Sequence, residues 1–283
     1  MREVKVQAPA KINLTLEVLD KREDGFHNIQ SIMQAISLYD YLTIKVKESS
    51  KREITLSGNS PDIPYDSSNL IYKAAVKFLD FANINNVSVD IYIEKNILIA
   101  AGLAGGSTDA AAAFVGLNSL FNNVLSDEKI NELCASLGSD LNFCLKGGCA
   151  VCTSRGEIIE PLPSAAFDLS LIKPKSFGIS AKEAYTKFSL LQDKSNPDAT
   201  GRLKQLLLND DFDKNLLYNS LEIAVINDYK ALIEIKNKLP EAMMSGSGPT
   251  FFVLDKKVAS DFDREKFDII ENLKSVPFGV TLI

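Results

Sequence analysis

A glycine-rich loop lies directly before a helical pattern in the middle of the chain. Residues 102–108 read Gly-Leu-Ala-Gly-Gly-Ser-Thr, and Phe114, Leu117 and Phe121 follow at the spacing of one helix face. Because the first amides of a helix have no partners within it and the helix dipole is positive there, such a loop predicts an anion site, with phosphate as the leading ligand. The loop lacks the Gly-Lys-Ser/Thr of a P-loop and the glycine spacing of a dinucleotide-binding fold, so it is not diagnostic alone.

A lysine and an asparagine alternate with apolar residues close to the start of the chain. Lys11 and Asn13 flank Ile12, and a strand of that period presents both polar side chains on one face. A lysine at such a position could neutralise the oxygens of a transferring phosphoryl group. A solvated sheet face would explain the same pattern.

The single histidine of the chain, His27, ends the polar turn Asp24-Gly-Phe-His. Gly25 gives this turn backbone freedom, and the ring of Phe26 or His27 could stack on a ligand. An ordinary surface histidine is the alternative interpretation.

Asp140 and a second glycine loop complete the candidate segments. Asp140 follows Gly138, a plausible helix C-cap, and could orient an accepting hydroxyl or simply cap the next helix. The Gly-Ser-Gly of residues 246–248 separates a predicted helix from a predicted strand and could be only a tight turn. Two glycine loops, a strand lysine and a loop aspartate are harder to explain separately, and together they predict a kinase.

The order of these motifs resembles that of the GHMP kinase superfamily. The matching segments are PAKINLTLEVLDKREDGFHNIQSIMQAISLYDYLTI, KNILIAAGLAGGSTDAA, GSDLNFCLKGG and SGSGPTFF. PAKINL and DGFH are similar to the superfamily members that act in the non-mevalonate isoprenoid pathway. The resemblance implies transfer of a phosphoryl group from ATP, with Mg²⁺ expected, to the 2-hydroxyl of 4-diphosphocytidyl-2-C-methyl-D-erythritol.

The resemblance also implies an α+β fold with two domains. A ribosomal-protein-like βαβ domain over residues 1–160 would carry the ATP phosphate loop, and a ferredoxin-like domain would occupy residues 161–283. ATP and substrate are expected in the cleft between them. The boundary is predicted from the residues themselves, since Gly156, Pro161 and Pro163 mark a change of composition.

The site residues implied by the resemblance form three groups. Lys11 and Asp140 are the catalytic pair, with Asn13 beside the accepting hydroxyl. Phe26 and His27 pack on and hydrogen-bond the cytosine, and Tyr185 closes the other side of the base. The implied ATP-binding residues are Asn69 and Lys95 near the adenosine, and Gly102, Leu103, Ala104, Gly105, Gly106, Ser107 and Thr108 on the phosphate loop, with Gly246, Ser247 and Gly248 forming the second glycine loop. No acidic pair identifies protein ligands for magnesium, although Ser107 or Thr108 could contribute an oxygen.

Three positions depart from the family pattern. Leu98 stands where proline is usual, Ala104 where glycine is usual, and Ala181 where threonine is frequent. If Ala104 adopts a positive φ, its methyl group costs about 1 kcal/mol and weakens the grip of the loop on phosphate.

Two other functions stay open at this point. Another GHMP kinase acting on a different small alcohol is the nearest alternative, and the DGFH turn together with Tyr185 disfavours it. A catalytically silent protein that binds a nucleotide or a CDP-alcohol is the second alternative, which the retention of both Lys11 and Asp140 disfavours.

Composition narrows the class of protein. The 283 residues are 46% hydrophobic and carry a formal net charge of −6, without any dominant basic cluster, which argues against a nucleic-acid scaffold. No apolar run reaches the roughly 18 residues of a membrane span. The start, MREVKVQAPAKINL, has no apolar core of a secretory signal, so we expect a cytoplasmic protein, as a monomer or weak homodimer, with neither nucleic-acid nor membrane partners.

The four cysteines favour a structural role. Cys149 and Cys152 have CxxC spacing, but they lie in the apolar run of residues 149–153, and no second CxxC or nearby histidine completes a zinc site. We therefore expect buried core thiols in a strand, as we also do for Cys134 and Cys144.

Hydrophobic periodicity predicts the elements that would position these residues. Strands are expected at 5–19, 41–46, 53–56, 87–93, 149–153, 169–173 and 250–254. Helices are expected at 69–82, capped by Ser67 or Ser68, and at 107–121, 127–137, 182–190, 203–208 and 216–238.

Overall fold

Helices and strands mix along the chain in an α+β fold. The structure is a computed structural model that describes residues 1–192, 194, 197–258 and 262–283. The described strands are β1 (Arg2–Lys21), β2 (His27–Glu48), β3 (Glu53–Gly58), β4 (Val87–Glu94), β5 (Cys149–Ser154), β6 (Ile158–Leu162), β7 (Asp168–Pro174), β8 (Tyr218–Asn219), β9 (Met243–Met244), β10 (Phe251–Val253), β11 (Phe267–Lys274) and β12 (Thr281–Leu282). The described helices are α1 (Leu70–Phe81), α2 (Gly105–Leu120), α3 (Asp127–Leu137), α4 (Leu141–Lys146), α5 (Ala181–Leu190), α6 (Ala199–Leu207), α7 (Ser220–Val225) and α8 (Lys230–Lys238), with short 3-10 segments at Lys214–Leu216 and Ile226–Asp228.

Two sheets organise the described residues. The larger has the order β12-β1-β2-β4-β3, with β8 added at β1, β5 added at β2 and β6 added at β5. The smaller has the order β11-β7-β10-β9. Strand β1 is therefore central to the larger sheet, because it pairs antiparallel with β2 and β12 and parallel with β8.

Helix α2 is buried on nearly every side. Ala110, Ala113, Phe114 and Leu117 are all fully buried. Gly116 lets the helix approach the larger sheet closely, since a Cβ atom there would come within 2.6 Å of the Ile44 side chain and 2.9 Å of Val6. Small residues thus place the helix firmly between α1 and the sheet, and this packing fixes where its glycine-rich start lies.

Most of the expected elements are confirmed, with two corrections. The cap of α1 is neither Ser67 nor Ser68 but Asn69, whose Oδ1 accepts from the Ile71 amide at 2.9 Å, whereas Ser68 donates to Asp66. The expected helix over 216–238 is wrong at two places: residues 218–219 form β8, which pairs with β1, and the 3-10 segment Ile226–Asp228 separates α7 from α8.

The expected cysteine environment is confirmed. Cys134, Cys144, Cys149 and Cys152 are all buried and free, and the last two lie on β5. Burial raises the pKa of the Cys149 thiol to about 12, so the thiol stays protonated at neutral pH. Within the described residues, no helix combines the length and apolar character that a membrane span requires.

Candidate active site

Lys11 is held by strand β1 at the edge of the first glycine loop. Two irregularities in the β1–β2 register, between Pro9 and Ala10 and between Asn13 and Thr15, bracket it. Such bulges re-aim side chains beside functional sites. The Lys11 ammonium donates to Asn13 Oδ1 at 2.7 Å and to the carbonyl oxygen of Gly102 at 3.0 Å, and its side chain is only 4% exposed.

Asp140 faces this ammonium from the start of helix α4. Its Oδ2 lies 3.6 Å from Lys11 Nζ, and its side chain is 30% exposed. Asp140 occupies the N-cap position of α4, yet its side chain makes no capping hydrogen bond. The carboxylate is therefore available to a ligand, with a buried cation beside it.

The side chain of Asn13 is fixed by its own partners. Its Oδ1 accepts from Lys11, and its Nδ2 donates to Ser31 Oγ at 2.8 Å. Ser31 in turn donates to the carbonyl oxygen of Thr15. Because both ends of the amide are bonded, its orientation is defined before any ligand binds.

A cavity of about 750 Å³ opens over this group of residues. Lys11, Asn13 and Asp140 lie along its wall. Phe26, His27 and Tyr185 line it as well, so the structure brings the predicted acceptor and base residues to one cavity. The imidazole of His27 stacks on Tyr185 with ring centroids 5.5 Å apart, while Phe26 is 53% exposed.

The first glycine loop leads into helix α2 without a side-chain cap. Ala104 holds the N-cap position at φ 58°, and its carbonyl oxygen accepts from the Thr108 amide at 2.9 Å. The amides of Gly105, Gly106 and Ser107 form the first turn, where the positive end of the dipole favours an anion. The left-handed conformation of Ala104 is the one in which we expected its methyl group to cost stability.

A second cavity, of about 390 Å³, lies on the other side of this loop. Asn69 and Lys95 line it, together with loop residues from Gly102 to Ser107. Gly102, Ala104 and Ser107 line both cavities, so the two spaces meet at the loop. Thr108 and Gly248 are the exceptions among the predicted residues: Thr108 is buried within α2, and Gly248 shapes the second glycine loop without lining either cavity.

Lys95 also belongs to a buried charge cluster under the loop. Its ammonium pairs with Asp40 and lies 2.8 Å from Asp109 Oδ2, and its side chain is 6% exposed. A Cβ atom on Gly105 would come within 2.8 Å of this ammonium. Burial raises the pKa of Asp109 to about 8, with Asp40 adding to the rise and Lys95 opposing it.

The second glycine loop is held by Asn219, a residue that sequence reasoning missed. Its Nδ2 donates to the carbonyl oxygens of Met244 at 2.7 Å and Gly246 at 2.9 Å. Gly246 adopts φ 56°, and a Cβ atom there would lie 3.2 Å from Lys11 Nζ. Ser245 Oγ donates to the Gly102 carbonyl oxygen at 3.1 Å, which joins the two glycine loops.

Sequence analysis also did not identify the cations at the mouth of the larger cavity. Lys21, Arg155 and Lys182 line it, and Arg155 lies over the Phe26 ring at 5.3 Å. Asp24 also lies there, and it is paired with Arg22 at 3.0 Å. The mouth is therefore predominantly positive, although the protein is acidic overall. Although Lys21 lies within the segment that contains DGFH, the three cations are far apart in the sequence, and only the fold brings them together.

No group of three or more histidine, cysteine, aspartate or glutamate side chains in the described residues is arranged to hold a metal ion. In nucleotide sites Mg²⁺ is usually bound by substrate phosphates and waters with only one or two protein ligands. Of the two hydroxyls expected to help, Ser107 lines both cavities and Thr108 lines neither. Ser107 is the residue that fits such an ion.

Known proteins are similar to this chain in both sequence and fold. A family model described as GHMP kinases N terminal domain matches residues 69–150. A 4-diphosphocytidyl-2-C-methyl-D-erythritol kinase of Clostridium perfringens is 42% identical over 88% of each chain. The enzyme of the same name from Clostridium botulinum is 38% identical over 92% of this chain and 96% of its own.

Solved structures of kinases are also similar to this chain in fold. A crystal structure of 4-(cytidine 5'-diphospho)-2C-methyl-D-erythritol kinase is 26% identical, with a TM-score of 0.74 over 96% of this chain and 99% of its own. A homoserine kinase from Cytophaga hutchinsonii, at 18% identity, shares the fold with a TM-score of 0.77 over 100% of this chain and 98% of its own. The chain belongs to the GHMP kinases and, within them, to the 4-diphosphocytidyl-2-C-methyl-D-erythritol kinase family.

Proposed function

We propose that this protein transfers the γ-phosphoryl group of ATP to the 2-hydroxyl of 4-diphosphocytidyl-2-C-methyl-D-erythritol. One observation carries the proposal: the cavity that holds Lys11 and Asp140 meets the cavity behind the glycine loop at Gly102, Ala104 and Ser107. A kinase needs such a junction, because donor phosphate and acceptor hydroxyl must meet in line.

The acceptor side needs orientation more than a strong base. Phosphoryl transfer passes through a loose transition state, so the hydroxyl proton leaves late. Asp140 would align the hydroxyl and receive that proton on its carboxylate. Lys11, at 3.6 Å, would stabilise the charge on the transferring group while Asn13 and Gly102 hold its other protons.

The donor side would be bound by backbone. The amides at the start of α2 would bind the phosphate, and Gly105 lets this turn pack against Lys95, where a Cβ atom would come within 2.8 Å of the ammonium. Asn69 and Lys95 would border the adenosine in the smaller cavity. Mg²⁺, bound with ATP and touched by Ser107, would supply neutralisation of the phosphate charge.

The end of the larger cavity that lies away from the glycine loop would receive the nucleobase. Phe26 and Tyr185 offer aromatic faces, and stacking is worth about 1 to 3 kcal/mol per base whatever the base. Recognition of cytosine then depends on hydrogen bonds, with His27 as the side-chain candidate. The cations at the cavity mouth, Lys21, Arg155 and Lys182, suit a substrate that carries a diphosphate.

The finer fold assignment is also a proposal. An N-terminal ribosomal-protein-like domain at 1–160 and a C-terminal ferredoxin-like domain at 161–283 are supported by the sheets, since the smaller sheet lies wholly after residue 167. Strands β8 and β12 return from the second segment to β1. We place the enzyme in the cytoplasm as a monomer or weak homodimer without nucleic-acid or membrane partners.

The test is a substrate panel with the purified protein. We expect phosphoryl transfer from ATP to 4-diphosphocytidyl-2-C-methyl-D-erythritol and negligible transfer to homoserine or mevalonate, measured as ADP release and as phosphorylated product by mass spectrometry. Preferred turnover of another alcohol would assign a different GHMP kinase activity. Tight binding of the cytidine substrate and ATP without any turnover would instead indicate a silent binding protein.

A further inference from the structure

The imidazole of His27 is held against helix α5 by contacts on two sides. Its ring is nearly parallel to that of Tyr185, at an interplanar angle of 17°. Its edge meets Phe188 at 89°, with centroids 6.4 Å apart. Nε2 lies 3.3 Å from Ser189 Oγ, so one of the two ring nitrogens already has a polar partner.

The hydroxyl of Ser189 donates a hydrogen bond within its own helix. It donates to the carbonyl oxygen of Tyr185, one helical turn back, at 2.9 Å. Back-bonding of this kind is usual for a serine inside a helix. A hydroxyl has a single proton, and the contact with the Tyr185 carbonyl oxygen, at 2.9 Å, is shorter than the 3.3 Å contact with His27. While Ser189 donates to Tyr185, its oxygen is an acceptor toward His27, and Nε2 then carries the imidazole proton.

The surroundings of His27 also favour a neutral ring. Partial burial lowers the pKa of His27 below 6.5, and the nearby charges of Lys21 and Lys194 lower it further, with Asp20 opposing. A neutral imidazole with its proton on Nε2 has a bare lone pair on Nδ1. His27 lines the larger cavity, and Nδ1 is then the ring nitrogen that is left to accept a hydrogen bond from a ligand.

We propose that Ser189 is a positioning residue for base selection, because it fixes the His27 tautomer in which Nδ1 accepts a hydrogen bond from the nucleobase. Cytosine presents an amino donor at the ring position where a uracil-type base presents a carbonyl acceptor. The amino group of cytosine can donate to Nδ1. The carbonyl oxygen of a uracil-type base would instead place a second lone pair against Nδ1, which is unfavourable. This inference rests on the proposed function, since it assumes that the cytidine end of the substrate lies at His27.

The tautomer can be measured without any enzyme assay. His27 is the only histidine of the chain, so ¹⁵N-histidine labelling of the full-length protein gives one unambiguous pair of imidazole nitrogen signals. We expect Nε2 to show the shift of a protonated nitrogen and Nδ1 that of a bare one at pH 7.5. In Ser189→Ala the two tautomers should exchange and both signals should move to intermediate positions, and Ser189→Thr should restore the wild-type pattern.

The kinetic arm compares the cytidine substrate with its uridine counterpart. The ratio of their kcat/KM values should fall about five- to tenfold in Ser189→Ala, the size expected for loss of one orienting hydrogen bond. Ser189→Thr should keep the wild-type ratio. Ser136→Ala is the matched control, because Ser136 also donates to a carbonyl oxygen of its own helix, that of Leu133, but lies away from the cavity.

The outcomes separate the two proposals. A proton on Nδ1 in the wild-type spectrum, or an unchanged tautomer and an unchanged substrate ratio in Ser189→Ala, would overturn the role of Ser189. Absence of phosphoryl transfer to either substrate would overturn the proposed function, while the spectrum would still decide which nitrogen Ser189 holds protonated.

Discussion

Lys11 Nζ donates to the carbonyl oxygen of Gly102 at 3.0 Å and lies 3.6 Å from Asp140 Oδ2. One ammonium thus connects strand β1, the first glycine loop and the start of α4, which are far apart in sequence. Gly102 in turn touches the second loop, since a Cβ atom there would come within 2.1 Å of the Ser245 carbonyl oxygen. The proposed reaction centre is therefore built around Lys11, and the first predictions concern this residue and its partner.

Lys11→Met should lower kcat by about 100- to 1000-fold, the usual effect of removing one electrostatic contact from a transition state. Lys11→Arg should not restore activity, because a planar guanidinium fork does not reproduce the bonds of the ammonium to Asn13 Oδ1 and the Gly102 carbonyl oxygen. Steady-state kinetics and ATP binding by calorimetry check both variants. Lys47→Met, at an exposed lysine of β2, is the control and should keep wild-type turnover. Full turnover in Lys11→Met would remove this residue from the mechanism.

Asp140→Asn should lower kcat by about 100- to 10,000-fold while the dissociation constant of the substrate changes little. The amide keeps the size of the side chain but cannot take the hydroxyl proton. Single-turnover kinetics separate chemistry from product release, and calorimetry measures binding. Asp62→Asn, at an exposed position, is the matched control. An equal loss of binding and turnover would contradict a role confined to the chemical step.

Local patterns predicted the parts of this site, and the fold supplied their arrangement. Period-two alternation predicted that Lys11 and Asn13 lie on one face of β1, and the glycine loop predicted the start of α2. Both predictions were possible because each pattern involves only residues that are neighbours along the chain. The contact between Asn219 and Gly246 joins two segments that share no local pattern. Pairing of this kind depends on strand β8 returning to β1, which periodicity does not encode.

Ala104→Gly should stabilise the protein and tighten its hold on ATP. Ala104 adopts φ 58°, a conformation that costs an alanine about 1 kcal/mol or more relative to glycine. We expect the free energy of unfolding to rise by up to about 1 kcal/mol, with a severalfold lower KM for ATP. Chemical denaturation and steady-state kinetics measure the two effects.

The control for this change is Ala82→Gly at the end of α1. Ala82 has φ −78°, where alanine is unstrained, so glycine should lower stability there. If both glycine variants lost stability equally, the strain assigned to Ala104 would be wrong.

Asn219→Asp should disturb the second glycine loop. The substitution replaces a donor to two carbonyl oxygens by an acceptor, and unsatisfied buried groups of this kind cost about 2 kcal/mol or more. Displacement of Gly246 beside Lys11 should also lower kcat about 10- to 100-fold. Denaturant unfolding and kinetics test the two effects, with the exposed Asn123→Asp as control. Unchanged turnover in a destabilised variant would limit Asn219 to a structural role.

Asp109→Asn should change how stability depends on pH. The pKa of Asp109 is raised from 3.8 to about 8 by burial, so the folded state retains a proton that the unfolded state has lost between those values. Stability from this group is therefore present at low pH and decreases as pH rises toward 8. Asparagine resembles the protonated acid but does not titrate, so its contribution to the free energy of unfolding does not change with pH. Its oxygen can still accept the hydrogen bond from Lys95.

The measurement is the free energy of unfolding of Asp109→Asn minus that of the wild type, from denaturant titrations between pH 5 and pH 9. The subtraction cancels the contribution of the buried thiols, whose pKa values burial also raises. The difference should grow in favour of the variant up to about pH 8 and then level off, because Asp109 is ionised in both states above its folded pKa. A difference that stayed constant across this range would show that Asp109 remains ionised beside Lys95, and that the charge cluster under the glycine loop consists of two carboxylates and one ammonium even at neutral pH.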